Sequence, residues 1–267
     1  MKLTNNLSIT INSTALYLLS YLFVFFIHQI FTILSALIFS IPVEIDYTKV
    51  SFLIYRYAWT FDSVKIIYST GPVICMILSI FMLVVAVRFK EYDGLLKMFF
   101  LWGFVHSINL FLGSALAGAL LGEGFGHVLI WMFMPDTGKM IITLLGLFSL
   151  AAVGFAITRL FLLSANSYFN KQEPSERPVF LFHQVLLPFL LGTVIIAAFR
   201  FPLNYYESLR LITPLMVILP AFLNSAGFPV FFFDEDPRKI KISSSLIAAA
   251  IIILVIYRIG LHYPVRL

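Results

Sequence analysis

Between Lys2 and Glu44 the chain has no Asp, Glu, Lys or Arg. A helix needs only about 20 apolar residues to cross ~30 Å of hydrocarbon. A charge-free stretch this long has no place in a small soluble core and is read as a membrane span. Its polar start, Thr4–Asn12, precedes an apolar run far longer than a signal-peptide h-region, with no clear cleavage site, so the span is expected to be retained. The rest of the chain repeats the message. Of 267 residues, 61% are hydrophobic and 12% charged, with a mean hydropathy of +0.98. Soluble domains carry about 45–50% apolar and about 25% charged residues. A water-soluble globular fold is excluded, and an all-α polytopic integral membrane protein is expected, in a bacterial inner (plasma) membrane.

Seven transmembrane helices are read, at roughly 15–42, 67–88, 95–121, 138–163, 179–199, 209–229 and 242–262. The longest polar break divides the chain into a four-span core (1–163), a polar connecting loop (164–178) and a three-span C-terminal bundle (179–267). A second break, 233–241, carries the run DEDPRK. Segment 43–62 is too rich in charge for hydrocarbon. Its aromatics Tyr55, Tyr57, Trp59 and Phe61 fall at every second position, which suggests a short interfacial β segment with one aromatic face, or else an amphipathic loop. With the N-terminus inside, ten Lys/Arg fall on the cytoplasmic side against eight outside, a slight preference for that orientation.

The formal charge of +5 is scattered, and no Lys/Arg cluster resembles a nucleic-acid surface. The basic residues are read as loop charges near lipid headgroups. Expected partners are therefore membrane lipids and another integral membrane protein, with no nucleic acid. One cysteine, Cys75, excludes an intramolecular disulfide.

A few polar residues inside the spans carry the functional signal. His28 sits within the first span, followed by Gln29, with Thr32 one turn on. An ionisable residue in a bilayer is costly and marks a candidate site; the plainer alternative is a neutral imidazole hydrogen-bonded across a helix interface with help from Thr32. In the third span His106, Asn109, Gly113 and Ala117 share one helical face beside a small-residue stripe. That pattern fits close helix packing bridged by His and Asn, or a polar site lined by His106 and Asn109. The turn GEGFGH, 122–127, adds Glu123 and His127 near the membrane boundary. His28, His106, Glu123 and His127 are metal-ligand residue types and form a candidate zinc set. Spans one, two, four, five, six and seven are read as free of intramembrane Asp and Glu.

In order, these features resemble the core of the site-2-protease (M50) family of intramembrane metalloproteases. That family has an HExxH span, a partly extended membrane-embedded segment, a span opening with Gly-Pro, and a later span with Asn that ends in Asp-Gly. Here the corresponding pieces are His28-Gln29-Ile30-Phe31-Thr32, segment 43–62, Gly71-Pro72, Asn109 and Glu123-Gly124, over about residues 15–130. Gln29 stands where the general base belongs and Thr32 where the second zinc histidine belongs. An amide takes no proton from metal-bound water, and threonine is a poor zinc ligand. The resemblance therefore implies a pseudoprotease with no catalytic residues and no required cofactor: a scaffold or subunit of a membrane complex. The alternatives are a divergent zinc protease and a small-molecule or lipid-handling membrane protein.

Overall fold

The structure, a computed structural model, describes residues 3–92, 94–233 and 240–267; the DEDP and Arg-Lys residues at 234–239 lie outside them. Six helices are long and apolar enough to cross a membrane. They are α1 (Leu3–Ile38), α2 (Phe61–Arg88), α3 (Leu96–Leu121), α5 (Asp136–Leu163), α6 (Pro174–Phe199) and the sixth, Tyr205–Gly227, built from α7 (Tyr205–Ile212) and α8 (Leu215–Leu223). A short α4 (Gly126–Trp131) follows α3. The last helix, α9 (Ser244–Gly260), is apolar but shorter. It is tied to α1 at one end, where the Asn12 amide donates to the Lys241 carbonyl, and to the loop after α1 at the other, where the Tyr257 hydroxyl donates to the Tyr47 carbonyl. It thus runs the length of the bundle beside α1. This is a polytopic α-helical membrane protein.

The polar start of the chain is helical and lies inside the bundle. Ser13 is buried because its hydroxyl donates to the Gln184 carbonyl and accepts from the Trp102 indole, joining α1, α6 and α3. One hydrophobic cluster runs from Ile9 and Tyr17 through Trp102 and Phe161 to Phe189, Val217 and Leu254, drawing on helices before and after the 164–178 loop.

Two small sheets cap opposite ends. At one end β3 (Lys171–Gln172) pairs with β4 (Phe231–Phe232). At the other, β1 (Val43–Ile45) and β2 (Val50–Phe52) form an antiparallel hairpin, and β5 (Val265–Arg266) joins the outer side of β1, with Arg266 Nε donating to Glu44 at 2.8 Å. The β structure therefore occupies only the first part of segment 43–62. The alternating aromatics do not continue the strand. Arg56–Ala58 is a single 3₁₀ turn that stacks the exposed Tyr55 and Tyr57 rings at 5.5 Å, and Phe61 opens α2 behind a Thr60–Ser63 capping box.

Hairpin register leaves β2 with a free edge. The Leu53 amide donates to Pro42 and the Asp46 amide to Lys49, so hydrogen-bonded pairs alternate at 42/53, 44/51 and 46/49. The main-chain groups of Val50 and Phe52 face away from β1, and among the described residues no strand pairs on that side.

Candidate functional site

A pocket of about 210 Å³ lies where the middle of α1, the start of α2, the hairpin, the 124–125 turn and α7 meet. His28, Gln29 and Thr32 form its α1 wall, Lys49, Val50 and Phe52 its hairpin wall, and Asn204, Tyr206, Glu207 and Arg210 the wall from α7. Two glycines make these approaches possible. A β-carbon on Gly71 would lie 2.6 Å from the Thr32 hydroxyl and 2.7 Å from Nε2 of His28, so α2 presses directly on the His28 turn there; Gly71-Pro72 lies inside α2, which begins at Phe61, and does not open the span as expected. Gly124 has φ +55°, and a β-carbon there would run into the Tyr206 ring.

Around His28 the hydrogen bonding is incomplete. The Thr32 hydroxyl donates to the His28 main-chain carbonyl at 2.9 Å, a helix-internal bond, and so does not assist the imidazole across an interface as expected. Nδ1 of His28 is buried with no hydrogen bond of acceptable geometry.

The α7 wall overturns two sequence expectations. The sixth span begins at Tyr205, a helical turn earlier than read, so Glu207 falls within the first turn of that span. Its side chain is 12% exposed, and those of Arg200 and Arg210 are 2% and 6% exposed. These arginines, with the fully buried Arg177, are not headgroup-facing loop charges. Arg177 donates to the carbonyls of Ser225, Phe228 and Pro229. Arg200 donates to Glu207 at 2.7 Å, to the Tyr21 hydroxyl at 2.9 Å and to the Thr48 carbonyl, with its guanidinium 4.3 Å above the Phe25 ring. Burial of Arg177 and Arg200 is tolerated because each guanidinium meets several acceptors. Helix α7 itself starts at Asn204, whose side chain caps the Glu207 amide at 2.8 Å.

His106 and Asn109 lie elsewhere. His106 Nε2 donates to the Tyr17 carbonyl at 3.2 Å, and its ring packs edge-on to Tyr17 and Tyr21. Asn109 donates to the Arg210 carbonyl at 2.9 Å and accepts from the Thr213 hydroxyl at 2.7 Å. The space beside them is about 10 Å³, at most room for one water. They fasten helices together and line no site with His28. Arg210 touches both places: its carbonyl belongs to the Asn109 contact and its side chain to the pocket.

The four metal-type residues do not gather. Among the described residues no three His, Cys, Asp or Glu side chains come close enough to share a metal ion. His106 is held at Tyr17, while His127 lies against the far side of Tyr68, ring centres 4.8 Å apart, in a second cavity with Arg56, Trp59 and Trp131. Partial burial holds the His127 pKa below its ordinary value against the pull of nearby Glu123.

What the sequence reading missed is the α7 side of the pocket. Tyr206, Glu207 and Arg210 lie about 180 residues from His28 in the chain, and the i, i+3 pair Glu207/Arg210 was the one signal available. Compared with protein-family models, with curated proteins and with solved structures, the chain matches none.

Proposed function

We propose that this protein is a non-enzymatic subunit or scaffold of a complex in a bacterial plasma membrane, on a degenerate site-2-protease-like core, and that it receives an extended segment of a partner membrane protein. The observation that carries this reading is the free edge of β2 beside the pocket. Val50 and Phe52 line the cavity and also present unpaired main-chain donors and acceptors. Such an edge is a template for an added strand. The close packing of Gly71 on the His28–Thr32 turn supports the protease-like arrangement of the first two spans. Hydrolysis is not favoured, since Gln29 is no base and the metal-type side chains stand apart.

The test places p-benzoylphenylalanine at position 52 in the full-length protein in native membranes. Illumination is expected to give one adduct of discrete mass with a membrane protein that also co-purifies stoichiometrically in mild detergent. Val50→Pro removes an outward N–H without touching the hairpin bonds, and is expected to abolish the adduct. Recovery of the chain alone, or an adduct unchanged by Val50→Pro, rejects the proposal.

A further inference from the structure

The geometry points to a carboxylate-binding subsite in the pocket beside His28, centred on the Arg210 guanidinium. The inference rests on the reading above for the source of the carboxylate, which is an acidic side chain or chain terminus of the entering segment; the subsite itself rests on charge and hydrogen bonding alone.

Arg200 and Arg210 share one carboxylate, Glu207. Arg200 holds it at 2.7 Å and also donates from its two terminal nitrogens to Tyr21 and Thr48. Arg210 is left at 3.7 Å from the same oxygen, beyond hydrogen-bond length, and no hydrogen bond of its guanidinium is formed within the described residues. Its side chain is nevertheless 6% exposed and faces the cavity, above the Tyr206 ring at 5.2 Å. A guanidinium brings five N–H donors and a permanent charge, and those of Arg210 are open to an acceptor entering the cavity. The buried trio carries one positive charge in excess. Lys49, at the mouth, has Asp46 in the same turn to offset it.

One monoanion neutralises this excess, and a planar carboxylate matches the guanidinium fork with two parallel bonds. A phosphate dianion would leave surplus negative charge in a buried place. Gln29 adds an amide donor on the facing wall. The cavity of about 210 Å³ holds a carboxylate and the few atoms that carry it.

The experiment uses the full chain purified in detergent and three small probes: N-acetylglycine, its amide N-acetylglycinamide, and inorganic phosphate. N-acetylglycine is expected to raise the thermal unfolding midpoint saturably, with the amide and phosphate binding at least tenfold more weakly. Equal responses to acid and amide, or a preference for phosphate, overturn the inference. Arg210→Lys keeps the charge but loses the fork and is expected to weaken binding several-fold; Arg210→Gln is expected to abolish it, and undiminished binding by a folded Arg210→Gln protein overturns the inference. Because the acid–amide contrast is read on the native chain, the test stands even where Arg210→Gln does not fold. Acetylated octapeptides then separate the sources: tighter binding of a Glu-containing or free-acid peptide than of N-acetylglycine supports a segment, and no gain over the small acid rejects that source. An adduct at position 52 without acid binding removes the subsite and leaves the segment; acid binding without the adduct does the reverse.

Discussion

His28 and His106 are alike as sequence: each is a lone histidine within an apolar helix, with an amide side chain nearby. The structure makes them opposites. Around His106 the polar atoms are turned toward neighbouring helices, with Nε2 on the Tyr17 carbonyl and both ends of the Asn109 amide engaged, and only about 10 Å³ is left between them. Around His28 a cavity of about 210 Å³ remains, and among the described residues Nδ1 has no hydrogen-bond partner and the Arg210 guanidinium opposite, 3.7 Å from Glu207, makes no hydrogen bond. In a bilayer, polar groups whose bonds close between helices act as fasteners. Those whose bonds stay open onto a cavity leave donors and acceptors free for a ligand, as proposed for the His28 pocket. Arg210 sits on the divide, its carbonyl fastening and its guanidinium open.

The contrast can be broken experimentally. Glu207→Gln leaves two buried arginines without a carboxylate, and is expected to lower stability by about 3–5 kcal/mol, read from unfolding in mixed micelles. Asn109→Ala strands the Arg210 carbonyl and the Thr213 hydroxyl; the expected loss is about 1–3 kcal/mol with the position-52 adduct retained. His28→Ala leaves Nδ1 without any bond to lose and removes one ring from the cavity wall, so a smaller loss than for Asn109→Ala is expected, together with a weaker adduct. If His28→Ala is the more destabilising of these last two, the distinction between fastener and site fails. The smallest effect concerns the hairpin turn. Partial burial alone would raise the Asp46 pKa, but the Thr48 hydroxyl, the Lys49 and Thr48 amides and the Lys49 charge together hold it below the ordinary value. Its stabilising contribution is therefore complete above the ordinary carboxylate pKa and is lost as pH falls through the lowered folded value. Hydrogen exchange at residues 48–49 is expected to accelerate only in that acid range, and Asp46→Asn to remove the pH dependence.

The helical bundle was largely legible in the sequence because hydrocarbon thickness imposes a length on every span. Half of the pocket was legible for the same reason, since His28, Gln29 and Thr32 stand out against an apolar run. The other half was not. Glu207 and Arg210 look like loop charges when judged by hydropathy, and only pairing with Arg200 makes them fit inside the sixth span. Polar residues 4–12 misled in the same way: Ser13 and Asn12, at their end, are buried because of partners near 184 and 241, which no local pattern reveals. The pairing of β5 with β1 had no sequence signal at all, resting on two residues at 265–266.

The wide separation of the pocket walls along the chain has a consequence for biogenesis. Synthesis and insertion proceed from the N-terminus, so His28, Gln29 and the free edge of β2 enter the membrane well before α7 brings Arg210 to face them. Until then the Thr48 carbonyl, later held by Arg200, is also unclaimed. The early spans must wait in a half-satisfied state, sheltered by the insertion machinery or by one another. Arrival of the fifth and sixth helices then both completes the pocket and seals the fold. Quality control of this protein is thereby tied to the pocket: a chain that fails to form the Arg200–Glu207–Arg210 cluster loses the pocket wall and the seal of the fold at the same stroke.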